Sequence, residues 1–170
     1  GFISNRLIKE LVHNNEITIF DNFYRDTLTN SAFALHPNIR IIRCSVLDFE
    51  HLIESMHGSD IVVHAAAIAG IDTVIKSPTT TMQVNMIGTA NTLEAVKINK
   101  IKGRFINFST SEVFGNYAFK STEKCSTSVG SAGEARWTYA VSKLAAEHLS
   151  LAYYKEFNLP TVTVRPFNVY

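Results

Sequence analysis

Two runs, Asp60-Ile-Val-Val-His64 and Arg104-Phe-Ile-Asn-Phe108, decide how this chain folds. Each is short and apolar, rich in β-branched or aromatic residues, as buried strands are. The first leads into a small-residue segment, Ala65-Ala-Ala-Ile-Ala-Gly70. Pro78 can then open a helix at its first turn, and the apolar pattern carries that helix to about Lys100. Strand, helix, strand is the unit of a parallel sheet, because parallel strands need a long crossover.

The alternation continues outward. Phe2, Ile3, Leu7, Ile8, Leu11 and Val12 recur at helical spacing. Glu16 to Phe20 reads as a strand closed by Asp21-Asn22, and Ile39 to Cys44 as another. Phe49 to His57 reads as a short helix stopped by Gly58. Trp137 to Phe157 reads as a helix ended before Pro160, followed by the strand Thr161 to Val164. The expected class is α/β, a doubly wound parallel sheet with covered strands and helices on both faces. Residues 115–136, rich in Ser, Thr and Gly, read as a long loop, and such loops are usually lids or site-forming segments.

The 170 residues suit one domain, without internal repeat or linker. Hydrophobic residues make 46% and charged residues 18%, with a net charge of +1, which excludes a disordered chain. The basic residues are scattered, so no nucleic-acid partner is expected. No apolar run approaches the ~18 residues of a membrane span. Cys44 and Cys125 match no metal or disulfide spacing, and the histidines are unpatterned, so no metal is expected. A reducing, cytoplasmic setting fits this usage. The helix from Pro78 carries two apolar faces, one with Met82, Met86, Leu93 and Val96, the other with Val84, Ile87, Ala95 and Ile98. The second face is expected to meet another helix or the second copy in a homodimer.

Three constellations carry chemistry. Gly1 opens a helix and Asp21 closes a strand 20 positions on, the offset at which dinucleotide-binding units place a phosphate turn and a ribose-binding acid. Tyr139-Ala-Val-Ser-Lys143 sets Tyr and Lys on one helix face, read as opposite the apolar stripe of Val141, Leu144, Ala145 and Ala152. A nearby positive charge lowers a phenol toward the range of a useful base. Phe108-Ser-Thr-Ser-Glu-Val-Phe-Gly115 sets small hydroxyls at the C-terminal end of a strand, where α/β sheets bind ligands.

Together these residues resemble the extended short-chain dehydrogenase/reductase family, in its NAD-dependent nucleotide-sugar epimerases, dehydratases and decarboxylases. The resemblance covers nearly the whole chain. It rests on Gly1-Phe-Ile3, Asp21-Asn22, Asp48, Val62-Val-His-Ala-Ala-Ala67, Asn85 with Gly88-Thr89, Ser109 to Gly115, Tyr139-x-x-x-Lys143 and Arg165-Pro-Phe-Asn-Val-Tyr170. It implies a Rossmann-like doubly wound parallel sheet truncated at both ends. The first strand and first loop glycine would precede Gly1, and a substrate-binding part would follow Tyr170. Residues 1–170 are then a partial NAD-binding domain. Ser4 stands where the family's loop has its last glycine, which implies weakened cofactor binding.

The resemblance also implies roles. Gly1, Phe2 and Ile3 approach the pyrophosphate. Asp21 and Asn22 hold the adenosine ribose and favour NAD over NADP, a preference that Arg25 can soften. Asp48 and Phe49 meet adenine. Ala65, Ala66 and Ala67 line the cofactor, with Asn85 and Phe167 on its side. Tyr139 is the base toward the sugar 4-hydroxyl, Lys143 lowers its pKa and binds the nicotinamide ribose, and Thr110 bonds the same sugar oxygen. Asn168 faces the substrate diphosphate. Ser111 and Glu112 govern the chemistry after C4 oxidation. The implied activity is that of a nucleotide-sugar epimerase or dehydratase, an isomerase or lyase of polysaccharide biosynthesis. The alternatives are UDP-glucuronate decarboxylation, which the Arg136-Trp137 pair resembles, and non-catalytic dinucleotide binding.

Overall fold

The computed structural model describes residues 1–132 and 134–170, without the side chains of Tyr117 and Arg136. Chain order runs α1 (Phe2–Leu11), β1 (Ile17–Asp21), β2 (Ile39–Arg43), α2 (Phe49–Ser55), β3 (Ile61–His64), α3 (Ile71–Lys76) and α4 (Pro78–Met82). A π-helical turn (Gln83–Ile87) joins α4 to α5 (Gly88–Ile98), so the two continue as one long helix. Then come β4 (Arg104–Phe108), a 3₁₀ segment (Ser111–Tyr117), α6 (Ala135–Phe157) and β5 (Thr161–Val164).

All three strand ladders are parallel: β1 with β2, and β3–β4–β5 in that order. The α/β fold with parallel sheets is thus the Rossmann-like one expected. The sheet is in two pieces, and a doubly wound order carries one more strand between them. Among the described residues none occupies that position. No helix among the described residues is long and apolar enough to cross a membrane.

Period-two alternation sorts the β3–β4–β5 side chains by face. Val62, His64, Phe105 and Asn107 share the face that α5 and α6 cover. Phe105 is fully buried in the core with Leu93, Ala95 and Val96 of α5, Leu52 and Met56 at α2, and Leu159. On the opposite face Ile61 and Val63 are exposed, so the full cover expected for these strands is not supplied by the described residues. Gly88 lets α5 approach the strand-to-helix turn, since a Cβ there would stand 2.6 Å from Val46 Cγ2.

The second apolar face of the long helix divides. Ala95 is buried and Val84 half-buried, whereas Ile87 and Ile98 stay exposed. A larger correction concerns α6. Its buried line is Ala140, Ser142, Lys143, Ala146 and Ser150. Val141, Leu144 and Ala145 are half-buried and Ala152 is exposed. The Lys143 side therefore faces the sheet and the apolar stripe does not. Small residues permit the close approach, and packing overrides the apolar count.

Leu93→Ala removes a fully buried side chain and is expected to cost about 2–5 kcal/mol of stability. Leu35→Ala, which truncates an exposed leucine, is expected to cost under about 0.5 kcal/mol. Denaturant unfolding of both variants checks this, and equal losses would contradict the burial assignment.

Candidate active site

Several residues singled out in the sequence follow the carboxyl ends of strands: Asp21 and Asn22 at β1, Ala65 to Ala67 after β3, and Thr110 to Glu112 after β4. Asp21 ends β1, and its Oδ1 accepts the Phe23 N–H at 2.7 Å, while Asn22 Oδ1 accepts that of Tyr24 at 3.0 Å. Asp48, beyond β2, caps α2 by accepting the His51 N–H, with Phe49 half-buried behind it. Ala65 and Ala67, beyond β3, are exposed, with Ala66 half-buried between them. Gly1 is the N-cap of α1, and the first-turn N–H groups around Phe2 and Ile3 have no partner within the helix. Arg25 crosses from the β1 side to the β3 side, donating through Nη2 to Ala69 C=O at 2.8 Å and Thr73 Oγ1 at 3.3 Å.

Asn85 is fully buried on the π-helical turn. Its Oδ1 accepts the Ile68 N–H at 2.8 Å, and its Nδ2 donates to Ile68 C=O at 3.1 Å and to Ser142 Oγ at 2.9 Å. Its amide is thereby spent on the protein, tying the loop after β3 to α6. Ser142 Oγ in turn donates to Tyr139 C=O at 2.7 Å. Thr89 Oγ1 donates to Asn85 C=O at 2.6 Å, so it accepts from His64 Nε2 at 2.9 Å. Burial, with the Lys143 charge adding to it, pushes His64 down to about 3 and keeps it neutral.

Thr110 is buried and caps the 3₁₀ segment, its Oγ1 accepting the Glu112 N–H at 3.2 Å. It also hydrogen-bonds the Tyr139 phenol. Glu112 and Tyr139 share a cleft of about 70 Å³ with Gly70, Ile71 and Val74. Ser111 is half-buried beside it, its N–H donating to Pro166 C=O at 3.1 Å. The structure thus brings Thr110, Glu112 and Tyr139 together, with Lys143 buried one turn further along α6. Phe167 is exposed and stacked on Phe114, and Asn168, also exposed, does not line this cleft.

Electrostatics differ from the expectation that Lys143 lowers the phenol. Burial and the Glu112 charge push Tyr139 up, against the Thr110 hydrogen bond. Burial pushes Lys143 down to about 8, with Glu147 opposing that fall. Glu147 is itself held by Arg165, whose Nη2 donates to it at 2.6 Å. Without a further positive charge, Tyr139 remains a phenol.

Sequence reasoning missed the Gly70–Val74 wall, the Ser142 link and the cluster of Cys44, Asp48 and His51. Ser142, directly before Lys143, was the available signal for the second; the spacing Cys-x-x-x-Asp-x-x-His was the signal for the third.

Asp21 at the end of β1, Asp48 opening α2, and Tyr139 beside the capping Thr110 hydroxyl lie beyond the carboxyl ends of parallel strands, where α/β sheets bind ligands. The chain belongs to the NAD dependent epimerase/dehydratase family, which it matches over residues 1–170. It is 37% identical over 171 residues to a UDP-N-acetyl-alpha-D-glucosaminuronate decarboxylase of Bacillus cytotoxicus, covering all of this chain and 52% of that protein. Among solved structures, the UDP-N-acetylglucosamine 4-epimerase of Methanobrevibacter ruminantium, in complex with UDP-N-acetylmuramic acid, superposes with TM-score 0.90 at 28% identity. That match covers all of this chain and 53% of the other. A UDP-glucuronic acid 4-epimerase of Bacillus cereus in complex with NAD gives TM-score 0.83 at 30% identity, over all of this chain and 55% of the other. The chain spans about half the length of the curated relatives it matches.

Because folded Lys143 loses its proton near 8 and an unfolded lysine near 10.5, the unfolded state binds more protons between those values. Stability relative to Lys143→Met is therefore expected to rise with pH across that window, by at most about 3 kcal/mol. Denaturant unfolding of both proteins at several pH values checks it, and parallel trends would contradict the burial of the ammonium.

Proposed function

We propose that the chain carries the cofactor-binding and proton-transfer part of an enzyme that oxidises C4 of a nucleotide-linked hexose, then epimerises or dehydrates it. The meeting of Glu112 and Tyr139 in one cleft, with Thr110 acting on the Tyr139 phenol and Lys143 buried one turn along the same helix, carries this reading. The residues present fit NAD. The free first-turn amides of α1 suit a pyrophosphate, Asp21 suits ribose hydroxyls, and Ala65 and Ala67 leave room for close approach. A carboxylate at Asp21 disfavours the 2′-phosphate of NADP, and Arg25 is engaged elsewhere.

NAD, when bound, supplies a hydride acceptor for C4 and a positive ring that favours the phenolate. Tyr139 Oη takes the proton of the 4-hydroxyl, while Thr110 Oγ1 holds the same oxygen. Lys143 adds its charge from the next turn and reaches the nicotinamide ribose. For dehydration, Glu112 takes the C5 proton and passes it to the C6 hydroxyl, which leaves as water. For 4-epimerisation Glu112 has no proton to move. Asn168 is assigned to the diphosphate and Phe167 to the cofactor side.

A second reading is decarboxylation, favoured by Thr110-Ser111-Glu112 and the 37% identical decarboxylase. A 4-ketone makes a C6 carboxylate a β-keto acid; carbon dioxide leaves and C5 takes a proton, for which Glu112 is the nearby acid. The same reading assigns the enzyme to polysaccharide biosynthesis in the cytoplasm, where its two free thiols stay reduced. It also assigns a homodimer through the face bearing Ile87 and Ile98.

Mass spectrometry of products from UDP-, dTDP- and GDP-hexoses and UDP-glucuronate separates these outcomes in the full-length protein. Loss of water marks a dehydratase, loss of carbon dioxide a decarboxylase, and unchanged mass with altered retention an epimerase. Tyr139→Phe is expected to slow C4 oxidation at least about 100-fold with NAD still bound. Full turnover in that variant would sink the mechanism. Glu112→Gln is expected to spare C4 oxidation and slow dehydration or decarboxylation about 100-fold. An equal loss in both steps would move Glu112 out of that role.

A further inference from the structure

Cys44 follows β2, Asp48 caps α2 and His51 sits in the first turn of α2. The Cys44 thiol donates to Asp48 Oδ2 at 3.5 Å, and His51 Nδ1 lies 3.0 Å from that same oxygen. One sulfur, one carboxylate oxygen and one imidazole nitrogen therefore stand within 4.8 Å of one another. These are not a nucleophile and its base. His51 is bonded to Asp48 rather than to the thiol, and burial with the Asp48 hydrogen bond pushes Cys44 up, away from a thiolate.

Two protons instead converge on one oxygen, and a single divalent cation can replace both. Tetrahedral zinc holds sulfur and nitrogen ligands at about 2.0–2.3 Å, which sets them about 3.3–3.8 Å apart. The pairwise spacings lie around that range, and rotation of the exposed His51 ring can close the difference. A set of one sulfur, one nitrogen and one oxygen suits zinc and its neighbours, whereas magnesium and calcium take oxygen alone. Entry is open, since the His51 and Asp48 side chains are 63% and 41% exposed.

We propose that Cys44, Asp48 and His51 form a site for one borderline transition-metal dication of the zinc type, with water completing the coordination. A consequence rests on the NAD reading above. Asp48 is assigned to adenine, so metal and cofactor compete for one carboxylate, and each weakens the other by the same factor.

Cobalt titration of the full-length protein, in a thiol-free reductant, tests the site without reference to activity. The expected result is a saturable thiolate-to-cobalt absorption at one equivalent, displaced by zinc. Cys44→Ser should abolish it, His51→Ala should weaken binding about tenfold or more, and Cys125→Ser should leave it intact. Circular dichroism verifies that each variant is folded, and the exposed His51 gives a test that does not disturb packing. Absence of a saturable band, or a band that follows Cys125, overturns the proposal. NAD affinity is then measured with and without zinc. A fall in the wild type and none in Cys44→Ser supports the competition. Metal binding with unchanged NAD affinity keeps the metal site and overturns the assignment of adenine to Asp48.

Discussion

The amide of Asn85 holds together three elements on which the candidate site depends. It satisfies both backbone groups of Ile68 in the loop after β3, and it reaches Ser142 on α6. All of this happens in a fully buried position, where each orphaned polar group costs about 1–3 kcal/mol. The same loop carries the alanines assigned to the cofactor, and the same helix carries Tyr139 and Lys143. Asn85 thereby ties the loop after β3 to the helix that carries Tyr139 and Lys143. The π-helical turn at Gln83–Ile87 belongs to this arrangement, because an extra residue in the turn re-aims the side chains around it. Thr89 ties Asn85's own carbonyl, and His64 ties Thr89, so the clamp is anchored back to β3.

That anchorage explains why α6 turns its polar side inward. Ala140, Ser142, Ala146 and Ser150 are small enough for the helix to lie close on β4 and β5. Lys143 is carried into the interior with them, and a buried ammonium is costly unless something opposes it. Glu147, one turn further along and paired with Arg165, supplies that opposition at the other end of the same stretch. A hydrophobic-stripe reading of α6 fails here because the stripe measures transfer from water, while the contact is decided by how near two backbones can come.

Strands β4 and β5 were legible residue for residue, since short β-branched and aromatic runs between turn residues have few other uses. The other strands and helices were legible to within a residue or two at their ends, where fraying and caps decide. The π-helical turn, the short α3 and the 3₁₀ segment were not legible. Each depends on tertiary bonds made far along the chain, such as Asn85 to Ile68 and Ser111 to Pro166, and local propensity carries no trace of those. At the site, Thr110, Glu112, Tyr139 and Lys143 could be named from motifs, whereas their burial and mutual charge could not. Cys44 and His51 escaped for a related reason: their spacing from Asp48 was visible, but the cap that turns Asp48 toward both side chains is a feature of the folded helix start.

The charge balance at Tyr139 bears on how such a site is switched on. Under the proposed function Glu112 would move a proton at C5, yet its charge, together with burial, raises the Tyr139 phenol proposed to act first at C4. A carboxylate useful in the second step thus impedes the first. The net direction at Tyr139 is set by burial and the Glu112 charge, against which the Thr110 hydroxyl acts. Under the proposed function, the oxidised cofactor would supply the cationic group that favours the phenolate. An arrangement of this kind ties proton removal to the presence of an oxidised cofactor. Burial and the Glu112 charge favour the protonated Tyr139 phenol, and the Asn85 hydrogen bonds hold the elements around it.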